Sequence, residues 1–301
     1  MAAISIQQLS RSYGEVQALK SVSLEVEPGE LFGLIGPDGA GKTTLIRILA
    51  TLLLPGDGHA EVLGYDVVNQ YREIRKKMGY MPGKFSLYYD LTILENINLF
   101  ATIFGTTLEE NYDLIRDIYS QIEPFKHRRA GNLSGGMKQK LALSCALIHA
   151  PEVLFLDEPT TGVDAVSRRE FWEMLRKLRD RGITILVSTP YMDEASLCDR
   201  VALIQNGNIL QIDTPENIVG SFKSDLYAVK ADQTWKLLKD LRAYEWAASV
   251  FAFGESVHYT DKRSDFEPSG LAEYLQAGGN SGVRISPIKP GIEDCFMALM
   301  N

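Results

Sequence analysis

The stretch Gly36-Pro37-Asp38-Gly39-Ala40-Gly41-Lys42-Thr43 fits the pattern G-x-x-x-x-G-K-[ST]. An apolar strand is predicted at residues 31–35, just before this stretch, and a helix at residues 42–53, just after it. Glycines let backbone N–H groups curl around phosphate oxygens, and a helix N-terminus adds a partial positive charge. We therefore predict a phosphate-binding loop, in which Lys42 reaches the β- and γ-phosphates and the Thr43 hydroxyl binds Mg²⁺.

The residues of this loop that we assign to nucleotide binding are Gly36, Pro37, Asp38, Gly39, Ala40, Gly41, Lys42, Thr43 and Thr44. Asp38 adds a negative charge beside the phosphates, and the sequence leaves open whether it weakens binding or contacts a partner. The alternative, a glycine-rich turn that precedes a helix by chance, is disfavoured because both flanking elements are the expected ones.

Two adjacent carboxylates, Asp157 and Glu158, follow a second apolar strand predicted at residues 153–156. In open α/β sheets the carboxyl ends of the strands face the ligand. Asp157 is predicted to hold Mg²⁺, directly or through water, and Glu158 to act as the catalytic general base that takes a proton from attacking water. Apolar strands that end in an acidic residue are common, so this assignment depends on the phosphate-binding loop earlier in the chain.

Composition limits the class of protein. The chain has 301 residues, enough for about two domains, and its 45% apolar and 23% charged residues are typical of globular proteins. Its net charge of −8 disfavours sequence-independent binding to nucleic acid, which needs a basic surface. Its three cysteines are far apart, so we expect a reducing compartment, with neither a disulfide framework nor a metal cluster.

Hydropathy gives no candidate membrane span, because no apolar run approaches the roughly 18 residues that a span needs. Residues 1–10 alternate between apolar and polar types, which predicts a strand rather than a secretory signal. We therefore expect a soluble protein whose membrane role, if any, comes through partners.

Predicted strands and helices alternate up to about residue 219, which favours a parallel α/β sheet with a helical insertion. The helical insertion is expected at about residues 84–150. The composition changes near Gly220, and residues 222–301 are predicted to form a small α+β appendage.

The segment Leu133-Ser134-Gly135-Gly136-Met137-Lys138-Gln139 lies between the two motifs. With it, the chain resembles the nucleotide-binding subunit of ATP-binding cassette (ABC) transporters over residues 1–219. The resemblance implies an α/β P-loop NTPase fold, with a RecA-like parallel sheet core, an antiparallel β edge and a helical subdomain. It also implies that ATP lies between two subunits, with Ser134, Gly135 and Gly136 binding the ATP of the opposite one. Without the family, Ser134 would be interpreted as a helix N-cap only.

Other positions match the family one by one. Tyr13 matches the aromatic residue that stacks on adenine, and Gly162-Val163-Asp164 matches the loop that crosses the dimer interface. Residues 85–92, 191–195 and 290–296 resemble the multidrug-exporter (ABC type-2) branch, the last of them more weakly. By family analogy, residues 85–94 are expected to face the membrane partner.

Two departures from the family pattern concern the site built from this chain's own phosphate loop. Where the family has a glutamine that contacts Mg²⁺ and the attacking water, this chain has Gly83. Where it has a histidine that contacts the γ-phosphate, this chain has Pro190. Losing one such transition-state contact typically lowers the rate by about 10²–10³-fold. We therefore expect ATP binding to persist while hydrolysis at this site becomes slow.

The resemblance implies a cytosolic ATP-binding subunit of an exporter, peripheral on the inner face of the cell membrane. Its expected partners are transmembrane permease subunits and a second nucleotide-binding domain, and no nucleic acid. ATP and Mg²⁺ are the expected cofactors. We favour the degenerate-site half of a heterodimer.

Alternatives remain open. One is a self-sufficient homodimeric ATPase, in which Lys84, Tyr191 or Asp193 substitutes for the missing groups. A second is a non-hydrolysing regulatory module, and a third is an ATPase acting on ribosomes, which the acidic single cassette disfavours. Residues 222–301 are expected to be a C-terminal accessory domain, either dimerising, regulatory or passive.

Overall fold

The computed structural model describes residues 1–300, and the chain divides into two compact units, Met1–Pro215 and Glu216–Asn301. The first unit contains the strands β1 (Ile4–Tyr13), β2 (Val16–Val26), β3 (Leu31–Ile35), β4 (Asp57–Val62), β5 (Tyr65–Asp66), β6 (Met78–Met81), β7 (Val153–Asp157), β8 (Thr184–Thr189), β9 (Arg200–Gln205) and β10 (Asn208–Asp213). Its helices are α1 (Lys42–Leu49), α2 (Tyr71–Lys77), α3 (Ile93–Phe104), α4 (Leu108–Tyr119), α5 (Gly135–Leu147) and α6 (Ala165–Asp180). Helix α7 (Pro215–Gly220) follows at the boundary between the units. Among the described residues, no helix has both the length and the hydropathy needed to cross a membrane.

Two sheets organise the first unit. The larger has the strand order β10-β9-β3-β8-β7-β6; all its neighbouring pairs are parallel except β10 with β9. The smaller has the order β2-β1-β4-β5 and is antiparallel. The expected α/β fold, with a parallel core and an antiparallel β edge, is confirmed.

The central strands β3, β7 and β8 are buried along their whole length, as expected for parallel strands covered on both faces. Their register pairs Ile35 with Thr189 and Asp157 with Ser188. Because parallel strands end at the same edge of a sheet, the phosphate-binding loop, the two carboxylates and the segment after Thr189 leave the sheet side by side.

Helices α3, α4 and α5 occupy most of the region where a helical insertion was expected. Each of the first two begins with a capping box, Thr92 with Glu95 and Thr107 with Glu110, which satisfies free backbone N–H groups of the first turn. Residues 84–92, which the sequence placed in this helical region, form turns and bends instead.

Helix α1 is shorter than its sequence pattern predicted, because it ends at Leu49 rather than at residue 53. Thr51 has a φ of 59°, in the left-handed region that stops a helix, and the backbone N–H groups of Leu52 and Leu53 both donate to the Arg47 carbonyl. The apolar residues that extended the pattern therefore belong to a turn.

The second unit is an α+β structure. It contains β11 (Leu226–Lys230), α8 (Thr234–Ala243), β12 (Ala247–Phe253), β13 (Ser256–Asp261), α9 (Pro268–Ala277), β14 (Arg284–Ile288) and α10 (Ile292–Leu299). Its antiparallel sheet has the order β12-β13-β11-β14, and residues of α8 and α9 complete a core with residues of β11 and β13. Asp294 accepts a hydrogen bond from the Gly291 backbone N–H (2.8 Å) and contacts His258 Nδ1 (2.6 Å), which ties α10 to β13.

Candidate functional site

The loop between β3 and α1 approaches its neighbours so closely that two of its positions accept only glycine. A Cβ atom on Gly36 would lie 2.1 Å from the carbonyl oxygen of Ile204. Gly41 has a φ of 109°, and a Cβ atom there would lie 2.5 Å from the carbonyl oxygen of Ala18. Gly41 immediately precedes Lys42, the first residue of α1. The loop backbone is thus fixed at a helix N-terminus, where N–H groups can bind phosphate.

The side chain of Lys42 is almost completely buried, at 3% exposure. Its ammonium donates to the carbonyl oxygens of Gly36 (2.7 Å) and Pro37 (3.0 Å), and forms an ion pair with Glu158 Oε1 at 3.2 Å. These acceptors hold the positive charge at the phosphate-binding loop, next to the carboxylate at the end of β7.

The two oxygen ligands predicted for Mg²⁺ lie next to each other. The Thr43 hydroxyl donates to Asp157 Oδ1 at 2.9 Å, and the Ser188 hydroxyl donates to the same oxygen at 2.9 Å. Asp157 is 3% exposed, so its carboxylate is fixed by these contacts. Hydroxyl and carboxylate oxygens are the hard ligands that Mg²⁺ prefers, so the residues present fit this ion.

Glu158 has a strained backbone, with a φ of 50°, a conformation uncommon in residues other than glycine. Its N–H donates to both the carbonyl oxygen (3.1 Å) and the hydroxyl oxygen (3.0 Å) of Ser188. Such strain persists only where surrounding contacts enforce it, and it is concentrated at functional sites. These two hydrogen bonds to Ser188 hold the Glu158 backbone, and its side chain contacts Lys42.

The two positions expected to depart from the family pattern, Gly83 and Pro190, follow the ends of β6 and β8, the strands on either side of β7. A Cβ atom on Gly83 would lie 2.9 Å from the carbonyl oxygen of Asp157 and 3.8 Å from Glu158 Cβ. Pro190 directly follows Thr189, the last residue of β8, and is partly exposed. Neither residue brings a polar side chain to this edge of the sheet.

A cavity of about 140 Å³ lies over the loop, lined by Ala18, residues 39–44 and Glu158. Of the predicted loop residues, Gly36 is buried below it, Pro37 is partly buried and Asp38 is exposed. The structure thus brings together the loop, Asp157 and Glu158 at one place.

Tyr13 does not line this cavity. It is 46% exposed near the turn that joins β1 to β2, and the Arg11 guanidinium lies 5.4 Å from the centre of its ring. Ala18, which does line the cavity, belongs to the second strand of the same hairpin. An exposed aromatic ring can stack on a flat base.

The signature residues Ser134, Gly135 and Gly136 lie outside this cavity, at the start of α5. The Ser134 hydroxyl accepts a hydrogen bond from the Met137 N–H at 3.3 Å, so this serine is the N-cap of the helix. A Cβ atom on Gly136 would lie 2.8 Å from the hydroxyl oxygen of Ser167 in α6. The signature backbone therefore packs against the start of α6 and not against the loop of its own chain.

Sequence analysis missed two residues of this site. Ser188 holds both Asp157 and the Glu158 backbone, and the only available signal was its place at the end of a buried strand. Tyr80 lies near the same carboxylate. Burial raises the pKa of its phenol, the negative charge of Asp157 raises it further, and the hydroxyl therefore stays neutral.

The geometry agrees with comparisons to known proteins. Residues 19–161 match the family model described as ABC transporter. The chain is 38% identical over 287 residues to the probable multidrug ABC transporter ATP-binding protein YbhF of Escherichia coli, covering 94% of this chain and 49% of that protein. It is 34% identical over 304 residues to the Nod factor export ATP-binding protein I of Burkholderia thailandensis, covering 99% of this chain and 97% of that protein. The chain thus spans about half the length of the first relative and nearly all of the second.

Solved structures give the same result. One, described as the ATP-binding subunit of an ABC transporter, is 28% identical with a TM-score of 0.66, covering 73% of this chain and 93% of that one. Another, a dimeric bacterial ABC transporter cassette, is 26% identical with a TM-score of 0.64, covering 70% and 98%.

The fold and the phosphate-binding site define a P-loop ATPase of the cassette type. The chain belongs to the family of ABC transporter ATP-binding proteins. Cassettes of this family are ATPases that bind ATP with Mg²⁺, and one similar cassette was solved as a dimer in a post-hydrolysis state with ADP and phosphate bound. The resemblance to this family and the expected cofactors are thereby confirmed.

Proposed function

We propose that this chain is the ATP-binding subunit of an exporter, and that it forms the slow-site half of a heterodimeric pair of cassettes. The names of its relatives, which refer to multidrug and Nod factor export, support the direction of transport. The slow-site part of the proposal has its own support in the geometry around Asp157 and Glu158.

The observation that carries the proposal is that positions 83 and 190, near these carboxylates, bring no polar side chain. Gly83 lies against the Asp157 carbonyl and Pro190 follows the end of the neighbouring strand β8; neither offers a hydrogen-bond donor or acceptor from its side chain. A water molecule that attacks a phosphate must be oriented and deprotonated. Without the two polar side chains that the family resemblance implies, the attacking water is oriented too poorly for Glu158 to act as an efficient general base. Two lost contacts of this kind lower the rate by about 10²-fold or more.

Lys84, Tyr191 and Asp193, which could replace the missing glutamine and histidine, receive little support from the geometry. The guanidinium of Arg168 lies 4.7 Å above the ring of Tyr191, whose N–H donates to the Thr189 hydroxyl. Asp193 lines a different cavity, and Lys84 is exposed. One observation favours the self-sufficient homodimer as the second candidate: Glu158 is intact and 3.2 Å from Lys42.

We assign the roles of the site residues as follows. The loop N–H groups and Lys42 bind the phosphates, and Tyr13 stacks on the base. Thr43 and Asp157 hold Mg²⁺, which when bound would screen the phosphate charges and orient the terminal phosphate. Glu158 accepts the proton of the attacking water after a phosphate oxygen takes its place at Lys42. Ser134, Gly135 and Gly136 act on the nucleotide of the partner cassette.

In this proposal residues 1–219 are the nucleotide-binding domain, and residues 222–301 are an accessory or dimerisation domain. The cassette lies on the cytoplasmic face of the membrane, attached through transmembrane permease subunits. The exposed rings of Tyr88 and Tyr89, in the loop before α3, support a contact with that partner.

ATP turnover and ATP binding of the purified chain test the proposal. We expect binding with turnover far below about 1 s⁻¹, a rate within the ordinary enzyme range. Pro190→His should raise turnover alone, and more with Gly83→Gln. The single change is measured separately because a side chain at position 83 meets the Asp157 carbonyl. Turnover of about 1 s⁻¹ or faster in the unchanged chain would overturn the slow-site assignment and favour the homodimer.

A further inference from the structure

Glu194 is a buried carboxylate that joins two segments of the nucleotide site. It lies on the 3₁₀ helix Met192–Leu197, just after β8, and is 3% exposed. Its Oε2 atom accepts hydrogen bonds from the hydroxyls of Thr160 (3.1 Å) and Thr189 (2.5 Å), which are buried as well. One oxygen atom thus ties the turn after β7 to the last residue of β8.

The contact with Thr160 holds the turn that follows Glu158. The Thr161 N–H donates to the Glu158 carbonyl oxygen (3.2 Å), which closes this turn. Glu158 has the strained φ of 50° described above, and its own N–H is held by Ser188. Strained backbone persists only where surrounding contacts enforce it. Thr160, bound to Glu194, supplies such a contact on the other side of the turn.

The contact with Thr189 holds the end of β8. The Thr189 hydroxyl donates to Glu194 and accepts from the Tyr191 N–H (3.0 Å). The Thr189 carbonyl oxygen accepts from the Gly36 N–H (3.3 Å), at the start of the phosphate-binding loop. Glu194 is thereby connected to the backbone on both sides of position 190.

The end of β8 in turn holds the two carboxylates of the site. Ser188, the residue before Thr189, donates to Asp157 Oδ1 (2.9 Å) and accepts from the Glu158 N–H (3.0 Å). The carboxylate pair is therefore bracketed by two segments, the end of β8 and the turn after β7, and both are tied to Glu194.

A carboxylate in this position costs free energy. Its other oxygen, Oε1, is buried without a hydrogen-bond partner in the part of the chain that the structure describes, and Arg168 Nη1 is 3.9 Å away. Packing alone does not require such a group, because well-packed apolar side chains are often at least as stable in buried positions. Hydrogen bonds to a charged acceptor are shorter and roughly twice as strong as neutral ones. The arrangement therefore indicates positioning rather than packing.

We propose that Glu194 is a positioning residue for the site of ATP and Mg²⁺, and that it acts through Thr160 and Thr189 to hold Asp157 and Glu158 in place. This inference rests on the nucleotide and metal roles assigned above, but not on slow hydrolysis. Glu194 does not line the cavity over the phosphate-binding loop. Because the metal ligand Asp157 lies beside this network, loss of Glu194 should lower the contribution of Mg²⁺ to ATP affinity.

Calorimetry of the full chain with the non-hydrolysable analogue AMP-PNP tests this contribution. The Kd is measured in excess Mg²⁺ and in EDTA, and the ratio of the two values gives the gain in affinity from Mg²⁺. In Glu194→Ala this gain should fall about tenfold, as expected when support of a metal ligand is lost. The Kd in EDTA should change by less than about threefold. In Glu194→Gln, whose amide oxygen can still accept from both hydroxyls, the gain should stay within about threefold of the unchanged value.

Hydrogen exchange of the nucleotide-free chain, resolved to single residues, measures the positioning itself. The N–H groups of Glu158, Thr161 and Tyr191 are hydrogen-bonded within these segments. Their exchange in Glu194→Ala should be at least about tenfold faster. The control is Ile118→Val, a buried residue of α4 whose shortening lowers stability in general. It should leave the Mg²⁺ gain and the exchange of these three N–H groups unchanged within about twofold.

Thr160→Val removes one hydroxyl and keeps the shape of the side chain, so it should reproduce at least about a threefold part of both effects. This variant decides if Glu194→Ala does not fold. An unchanged Mg²⁺ gain or unchanged exchange in folded Glu194→Ala, or the same changes in Ile118→Val, would overturn the proposal. If the unchanged chain binds no AMP-PNP, the proposed ATP-binding function fails, and the exchange measurement alone decides the role of Glu194.

Discussion

The ammonium of Lys42 lies 3.2 Å from the carboxylate of Glu158, which joins the phosphate-binding loop to the end of β7. The lysine is 3% exposed and the glutamate 23%, so the lysine is fixed and the glutamate is the partner with room to move. A phosphate that binds the loop competes with Glu158 for this ammonium. We therefore expect nucleotide binding to release the carboxylate of Glu158 from Lys42.

Replacing this lysine should weaken ATP binding. In Lys42→Met the loop keeps its backbone N–H groups but loses its buried positive charge. A hydrogen bond to a charged group is worth about 1.5–3 kcal/mol, so we expect Kd for ATP to rise by roughly 10–100-fold. Calorimetry measures this, with Lys20→Met, an exposed lysine of β2, as the control. A change below about threefold would show that the loop N–H groups carry the binding without Lys42.

The effect of Glu158→Gln separates the slow-site assignment from its alternative. If hydrolysis at this site is already limited by the missing groups, turnover should change by less than about threefold, whereas loss of a working general base costs about 10²–10⁴-fold. ATP affinity should stay equal or increase, because glutamine no longer competes with phosphate as a charged partner of Lys42. Steady-state phosphate release measures the first quantity, and a fall of about 100-fold would contradict the slow-site assignment.

A methyl group at position 83 should disturb the site. Gly83→Ala places a Cβ atom 2.9 Å from the Asp157 carbonyl, so backbone must move. Overpacking costs about 1–3 kcal/mol, which in a unit of this size lowers the melting temperature by roughly 2–10 °C. The control is Gly270→Ala, in helix α9, where a Cβ atom meets nothing within 4 Å. An unchanged melting temperature in Gly83→Ala would mean that the loop moves away freely, and that a glutamine there is tolerated too.

The second unit should depend on Asp294. Asp294→Ala removes both the cap on the Gly291 N–H and the contact with His258, so we expect a loss of about 1–3 kcal/mol. Urea unfolding, followed by tryptophan fluorescence in a Trp172→Phe background so that only Trp235 and Trp246 contribute, reports on this unit. Glu273→Ala, an exposed acidic residue of α9, is the control and should have little effect. Equal stability of the two variants would mean that other contacts hold α10 in place.

His149 should make the first unit less stable in mild acid. Burial lowers its pKa below the usual 6.5; its Nε2 atom contacts the Met78 carbonyl (2.9 Å), and its Nδ1 atom is buried without a partner in the described structure. The unfolded chain therefore binds the proton first, and stability falls as the pH drops below about 6.5.

Unfolding in urea at several pH values between 7.5 and 5.5 measures this dependence. His149→Phe keeps an aromatic ring stacked on Phe104. The slope of the free energy of unfolding against pH should decrease in this variant by up to about 1.4 kcal/mol per pH unit. His127→Phe, at an exposed position, should keep the slope of the unchanged chain. Burial raises the pKa of Glu30 above its usual 4.5. The folded chain therefore binds that proton first, so Glu30 makes the unit more stable as the pH falls, opposite to the effect of His149. Equal slopes in all three proteins would contradict the assignment to His149.

The fold and the phosphate-binding loop could be predicted because their determinants are local. A run of five buried residues, four of them with apolar side chains, followed by glycines and Lys42 specifies strand, loop and helix within one short segment. The positions of Asp157 and Glu158 follow from a general rule, that parallel strands end at one edge.

Other features depend on contacts between distant segments, so the sequence alone did not predict them. The hydrogen bonds of Ser188 with Asp157 and with the Glu158 N–H require the register of β7 and β8. The hydrogen bond from Thr160 to Glu194 joins residues 34 positions apart in the chain. The early end of α1 depends on the left-handed backbone of Thr51, which the apolar pattern concealed.

The close approach of Gly83 to the Asp157 carbonyl has a consequence for engineering this position. The backbone of Gly83 lies so near β7 that any larger side chain requires a shift of the loop. We therefore expect Gly83→Gln to cost stability through this shift, whatever it adds chemically. A gain in turnover and a loss of stability would then come from the same substitution, so the two properties cannot be improved together at this position without a second change in the loop.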